Sequence, residues 1–343
     1  MLASFLAETS VGVRLSDNLL NHAQIAYGIG PEPARADRHR ARFSIELCAD
    51  LAAAIARSRL SCDGAAALMV PRLLTLASDD PSFDGLRRAL TQPRLASADG
   101  TVALSCNREI LRLNTADLEL VWRACQDLYA AHYRTYWESR KPVLDGLALE
   151  VEEQLRAADV PRKLAELTAR EPPHADIEVY LLDSEALISY SGGGDRVCIT
   201  TTALSRPERF MYLFAHECAR LCLHNPPWWE VEPCASVCNG LAAAILEAVE
   251  ACTMQYLAAT LALRYGADPG FWMVHPRVEE AIARQWPQFV AAPEKGIDLL
   301  LERVLRELHG ADPHADAVRP RRLSVTYDES GRPVRCSVAP QRF

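Results

Sequence analysis

The sequence has no uncharged apolar run long enough to span a membrane. The longest apolar helical candidate, Gly240 to Tyr265, is interrupted by Glu247, Glu250 and Arg264, so no membrane span is expected. A secretory leader is not expected either: Met1 to Leu6 is apolar but has no basic start, and Glu8 follows. There is no internal repeat and no excess of positive charge. Lys and Arg number 37 against 45 Asp and Glu, a net charge of −8 that argues against nucleic acid as a main partner. The local clusters Arg35, Arg38, Arg40, Arg42 and Arg319, Arg321, Arg322 read as solvated surface. The 11 cysteines are an odd count in a chain without a leader, which predicts reduced thiols and a cytoplasmic location. What is present is the composition of an ordinary globular protein: 343 residues, 49% hydrophobic and 24% charged, enough for two domains.

Along the chain, residues 1–34 are ambiguous and end in the breaker run Gly28 to Pro33. Arg35 to Leu60 has the spacing of one amphipathic helix, and Asp63 to Ala77 and Phe83 to Leu90 read as shorter ones. Arg94 to Cys106 predicts a hairpin around Asp99-Gly100. A long helical pattern starts at Thr115, carries a stripe from Trp122 to Trp137 that reads as core, breaks near Pro142 and resumes to Ala158, with another short helix from Pro161. Glu171-Pro172-Pro173 marks a boundary. Beyond it Ile177 to Leu182 and Val197 to Thr201 are β-branched strand candidates, with a third near Ala186 to Tyr190 and a turn at Ser191 to Gly194. A hairpin is expected from Arg322 to Val338.

The stretch with chemistry in it is Ser205 to Asn225. Ser205 and Glu208 match a capping box, Pro207 suits a first turn, and Phe210, Leu213, Phe214 and Leu221 fall at helical spacing. Asn225-Pro226-Pro227 ends the helix. Inside lies Ala215-His216-Glu217-Cys218-Ala219-Arg220. In H-E-x-x-H, two histidines on successive turns hold Zn²⁺ and the Glu is the general base. Here Arg220 stands at the second histidine position. Arginine is always protonated and offers no lone pair, so it cannot replace a ligand. His224 is the nearest spare imidazole, one turn further on. The nearby Cys218, Cys222, Cys234, Cys238 and Cys252 lack the C-x-x-C spacing of a thiolate zinc site and read mainly as small buried hydrophobes. The deaminase signature is absent, because His216 and Glu217 are adjacent.

Three features in order resemble the gluzincin-type zinc metallopeptidases, in particular soluble members of the CAAX-prenyl-protease-like family. They are the strand–glycine turn–strand from Ile177 to Leu204, the segment ERFMYLFAHECAR, and LEAVEACTMQYLAATLALRYGADP, which is similar to that family's second site helix. The resemblance spans about Asp176 to Gly270 and departs from the family at Arg220 and at Cys252, where the family usually has Asp. It implies Glu250 as a zinc ligand, with Glu247 one turn away as a fallback. Phage-immunity peptidases that cleave repressors share the fold, and their H-E-x-x-H-x-x-x-H spacing matches His216 to His224.

The resulting expectation is an α+β chain: a mainly helical region at 1–170, a zincin-like metallopeptidase domain at 171–310 and a C-terminal tail with a hairpin at 311–343. Two functions are open. In the first, zinc is held by His216, Glu250 and a third donor, either His224 or a local Cys, and Glu217 is the base for peptide-bond hydrolysis. In the second the metal is lost and Arg220 fills its place, paired with Glu217 or Glu250. A peptide or protein partner then binds beside the Val197–Thr201 strand by β-augmentation.

Overall fold

The computed structural model describes residues 8–29, 33–61, 64–168 except 95, 98, 107 and 108, and 176–224 except 186, 187, 193 and 194. Beyond 224 it describes 271–272, 281, 284–288, 300, 303–304, 307, 321–327 and 333–340. In chain order the elements are β1 (Glu8–Gly12), α1 (Leu15–Ala26), α2 (Pro33–Phe43), α3 (Ala49–Arg57), α4 (Gly64–Leu76), α5 (Phe83–Thr91), β2 (Thr101–Cys106) and β3 (Glu109–Asn114). There follow α6 (Thr115–Leu128), a π-helical turn (Tyr129–Tyr133), α7 (Arg134–Ala158), α8 (Val160–Thr168), β4 (Asp176–Leu182), β5 (Ser189–Gly192), β6 (Arg196–Thr200) and α9 (Pro207–His224). Two-residue β7 (Phe271–Trp272), β8 (Arg321–Tyr327) and β9 (Pro333–Pro340) come last. The chain is thus α+β, mostly helical with small sheets.

It divides into two compact units that interleave in sequence: Ser10–Glu153 with Glu178–Thr202, and Met1–Thr9 with Gln154–Ile177 and Ala203–Phe343. The sequence boundary at Glu171-Pro172-Pro173 lies outside the described residues. The strand segment following it, from Glu178, belongs with the early helices.

In the unit built from Ser10–Glu153 and Glu178–Thr202, α1 is buried almost all round. Leu19, Leu20 and Ala23 join Val70, Leu86, Val121, Leu128 and Tyr133 in one apolar cluster. At about 1.5–3 kcal/mol for each fully buried Leu, Val or Phe side chain, such clusters supply the main driving force. The C-terminal carbonyls of α4 are capped by arginine. Arg14 donates to the carbonyls of Thr75 (3.1 Å) and Ser78 (2.6 Å), and Arg196 donates to that of Leu76 (3.0 Å). Cations at a helix C-terminus complement its partial negative charge. The sheet runs β1-β4-β6-β5, with β4 and β6 parallel and β5 antiparallel to β6.

Several expectations are corrected by this arrangement. The single helix expected over Arg35 to Leu60 is two helices, because Ser44 adopts a positive φ of 51° that no α-helix continues. The hairpin expected around Asp99-Gly100 forms as a short one: Ala96 bridges Val102 antiparallel, the Ser97 N–H donates to the Thr101 carbonyl at 2.9 Å, and Gly100 takes φ 75° in the turn; β2 then pairs onward with β3. The break expected near Pro142 does not occur. Helix α7 runs through it, with Trp137, Leu144, Ala148 and Val151 buried along one stripe. Packing of that stripe outweighs the loss of one backbone hydrogen bond. The strand over Val197–Thr201 is not an open edge, since β6 is paired on both sides; the edge strand next to it is β5. The aromatic stripe is core as expected, with Trp122, Tyr133 and Trp137 all buried. The C-terminal hairpin forms as β8 and β9, with β7 added beside β8.

Candidate functional site

Helix α9 begins at Pro207, whose missing N–H costs nothing in a first turn. The carbonyl of Arg206 accepts the N–H groups of Arg209 and Phe210, so the capping position is Arg206 and Ser205 closes the preceding 3-10 turn. Phe210, Phe214, Ala215, Cys218, Ala219 and Leu221 are buried. Leu213, expected on that face, is half-buried instead, on the more open stripe with His216 and Arg220. These three stand at i, i+3 and i+7, which brings them to one side of a helix.

The two positions that hold metal in H-E-x-x-H, 216 and 220, therefore share a partly open face here. The side chains of His216 and Arg220 are 23% and 19% exposed, whereas Glu217 between them is 1% exposed. Both approach its carboxylate: His216 Nδ1 lies 3.5 Å from Oε1 and Arg220 Nη1 lies 3.6 Å from Oε2. Tyr212, one turn earlier, stacks its ring nearly parallel to His216, 14° between planes and 6.5 Å between centroids. A buried carboxylate is costly unless a cation offsets it, and Arg220 is placed to do so.

The donor set does not suit zinc as described. It holds one imidazole, one carboxylate and, at the second ligand position, a permanent cation that repels a metal ion. Among the described residues no three His, Cys, Asp or Glu are gathered for a metal. Glu247, Glu250, Cys252, Cys234 and Cys238, and the side chains of Cys222 and His224, lie outside the described residues. Cys125, Cys198 and Cys218 have buried side chains, and burial pushes the thiols of Cys125 and Cys198 well up. They behave as small hydrophobes rather than as nucleophiles. No described helix is long and apolar enough to cross a membrane.

Sequence reasoning missed a second concentration of polar chemistry. In α1 the side chains of Ser16, Asp17, Asn18, Asn21, His22 and Gln24 are buried with the leucines. Asp183, just after β4, is bound from several elements. Arg140 donates to it in bidentate fashion (Nε to Oδ2 2.7 Å, Nη2 to Oδ1 3.1 Å), the Tyr136 hydroxyl donates to Oδ2, and its own N–H donates to Asn18 Oδ1 at 2.6 Å. His22 Nε2 lies 3.0 Å from its carbonyl. Burial pushes the Asp183 carboxyl up, but the donors and the Arg140 charge outweigh it and hold the group below its ordinary 3.8.

His22 is in turn the centre of an aromatic box, with ring centroids 4.9 Å from His39, 4.9 Å from Tyr133, 5.3 Å from Phe43 and 5.4 Å from Tyr136. His132 completes it, 5.9 Å from Tyr136. Burial lowers His22 to about 4, against a smaller upward pull from Asp183. Burial, with His22, Arg35 and Arg42 nearby, lowers His39 to about 3. The only signal in the sequence was polar residues set inside an apolar helical segment, a pattern that the leucine periodicity of α1 conceals.

No family model matches this chain, and no match is found among curated proteins or among solved structures.

Proposed function

We propose that the unit carrying α9 retains a metallopeptidase-like helix turned to binding: a pseudopeptidase that engages a peptide or protein partner without hydrolysing it. The finer fold assignment, a zincin-like core, is part of the same proposal. The observation that carries it is the Arg220 guanidinium 3.6 Å from Glu217, at the position where H-E-x-x-H places a ligand. The same cation opposes a metal ion. The open stripe of Leu213, His216 and Arg220 offers apolar, imidazole and cationic character together, which suits an extended peptide bearing acidic groups.

The competing reading, peptide-bond hydrolysis with Glu217 as base, keeps one supporting observation: His216 is partly open to solvent directly beside a buried Glu217. It requires further zinc donors from residues outside the described ones, Glu250 first. Elemental analysis of full-length protein purified without added metal separates the two, together with cleavage assays on a mixed peptide library with and without zinc. The binding reading expects no stoichiometric metal and no cleavage under either condition. Tightly held zinc with zinc-dependent cleavage would overturn it.

A further inference from the structure

The aromatic box around His22 contains donors whose partners are not supplied by the fold. His39 is 5% exposed and Tyr133 fully buried. Among the described residues, His39 Nε2, His132 Nε2 and the Tyr133 hydroxyl have no hydrogen-bond partner. Buried polar atoms are satisfied in the large majority of cases, and three exceptions in one cluster call for a cause. The local backbone points the same way. His132 and Tyr133 sit on the π-helical turn, where the Arg134 N–H bonds to the Tyr129 carbonyl five residues back. Such turns are rare, less favourable than α-helix, and frequent at functional sites. Here the turn delivers two of the three unsatisfied groups.

The surrounding charge selects the ligand. Among the described residues the carboxylate nearest His22, Asp183, is already taken by Arg140 and Tyr136. Arg42 pairs with Glu185 and lies 5.2 Å over the Phe43 ring, and Arg35 lies near enough to act on His39. These guanidinium groups disfavour a cation at the imidazoles and favour an anion. Neutral imidazole, imidazolium and tyrosine hydroxyl can all donate through the atoms left over. His132 and Phe43 are only half-buried, so the box reaches the surface on that side.

We propose that His39, His132 and Tyr133 form a binding site for a small oxyanion, the phosphate or carboxylate group of a small molecule. The site belongs to the unit of α1 and is independent of the α9 reading. Burial keeps the His39 imidazole neutral when free, and a bound anion favours its protonated form, so binding takes up a proton. Affinity therefore rises as pH falls. The groups facing the imidazoles are His22 from α1, Arg35 and Arg42 from α2 and Tyr136 from α7, with Asp183 after β4 against His22; Asp183 is held by Arg140 and Glu185 by Arg42, so neither is a free carboxylate.

The test is calorimetric titration of the full chain with sulfate, a tetrahedral anion of constant charge, and separately with acetate, a planar one, at about pH 6 and about pH 8. One probe is expected to bind at one site per chain, about tenfold or more tighter at the lower pH. Sulfate as the better probe assigns a phosphate group to the natural ligand, and acetate a carboxylate. His39→Gln and His132→Gln should each weaken binding about tenfold, and Tyr133→Phe several-fold, as for a charge-assisted hydrogen bond lost. Should a variant fail to fold, the wild-type imidazole resonances serve instead: those of His39 and His132 shift with the probe and those of His216 do not. No heat and no shift with either anion at about 10 mM, well into the range of weak binding, would overturn the proposal. Saturable Co²⁺ binding lost in His39→Gln would overturn it as well, in favour of a metal.

Discussion

The carboxylates of Asp183 and Glu217 are each met by an arginine, and they are met differently. Asp183 receives the Arg140 guanidinium edge-on through two nitrogens at 2.7 and 3.1 Å, within strong hydrogen-bond range. Glu217 has Arg220 at 3.6 Å through Nη1, beyond that range, and an imidazole at 3.5 Å. The first geometry ties a strand end to two helices and leaves its arginine little freedom. The second is close enough to neutralise a charge and loose enough for the arginine to leave for another anion. Tight satisfaction builds structure, and a looser approach on a partly open face keeps a group available. The same contrast separates Tyr136, bonded to Asp183, from Tyr133 beside it in the box.

The largest expected effect tests the box as a whole. The His22 and His39 imidazoles are depressed below 6.5 in the folded state, so the unfolded chain binds more protons. Their stabilisation is full above about pH 6.5 and declines as pH falls toward about 4 for His22 and about 3 for His39. His22 alone should account for roughly 3 kcal/mol over that window. Denaturant titrations between pH 7 and 4 measure it, and a flat profile would mean the imidazoles are not buried neutral. The Asp183 carboxyl, also depressed, contributes above its ordinary 3.8 and is lost only below that, so the His22 loss comes first on the pH axis.

Next in size, Asp183→Ala should cost about 2–3 kcal/mol in urea unfolding, since Arg140 loses its partner but is one-third exposed and can turn to water. Arg220→Ala should cost less, about 1–2 kcal/mol, because the Glu217 it leaves behind is buried yet less tightly bound by it. An equal or larger loss would break the distinction between the two pairs. Arg220→His should make the melting temperature rise with zinc and fall with chelator, while the wild type responds to neither. Smallest are the tyrosines. Tyr136→Phe removes a hydrogen bond to a charged acceptor and should cost about 1.5 kcal/mol, whereas Tyr133→Phe should be close to neutral in stability.

Much of the architecture was legible from spacing alone. Helices α4 and α5, the strands β4 and β6, the hairpin of β5 with β6 and the core role of the Trp122–Trp137 stripe all follow from local periodicity and turn residues. On α9 the shared face of positions 216 and 220 follows from helix geometry. What stayed hidden depended on distant partners. Helix α1 lies in a stretch that reads as ambiguous, and its polar residues are satisfied from afar: its Asn18 amide donates to the Leu181 carbonyl at 3.0 Å, and its Gln24 and Asn21 accept from Arg72. Nothing local marks a residue whose bond is supplied from the far end of the domain. The π turn escaped for a related reason, since its sequence YAAHY has ordinary helical composition and the bulge is imposed by packing. The burial of Glu217 was equally invisible, because an H-E-x-x pattern fixes spacing and not depth.

The interleaving of the two units sets the order in which the protein can form as it is made. Asn18 meets Leu181 across 163 residues, and strand β1 waits for β4 before it has a neighbour in its sheet. A nascent chain of 170 residues already holds α1 to α8 but has none of the three strands that sheet still needs. Domains that complete early during synthesis fold as they emerge; this one stays open until residue 202 is out, with the polar side chains of α1 lacking their strand partners until then. Closing so long a loop is slow more than it is costly, since loop entropy grows only with the logarithm of length. A gene fragment cut at the proline pair near 172 would therefore yield an unfinished half of a domain, prone to aggregate, whereas one ending just past Thr202 contains every residue of the first unit.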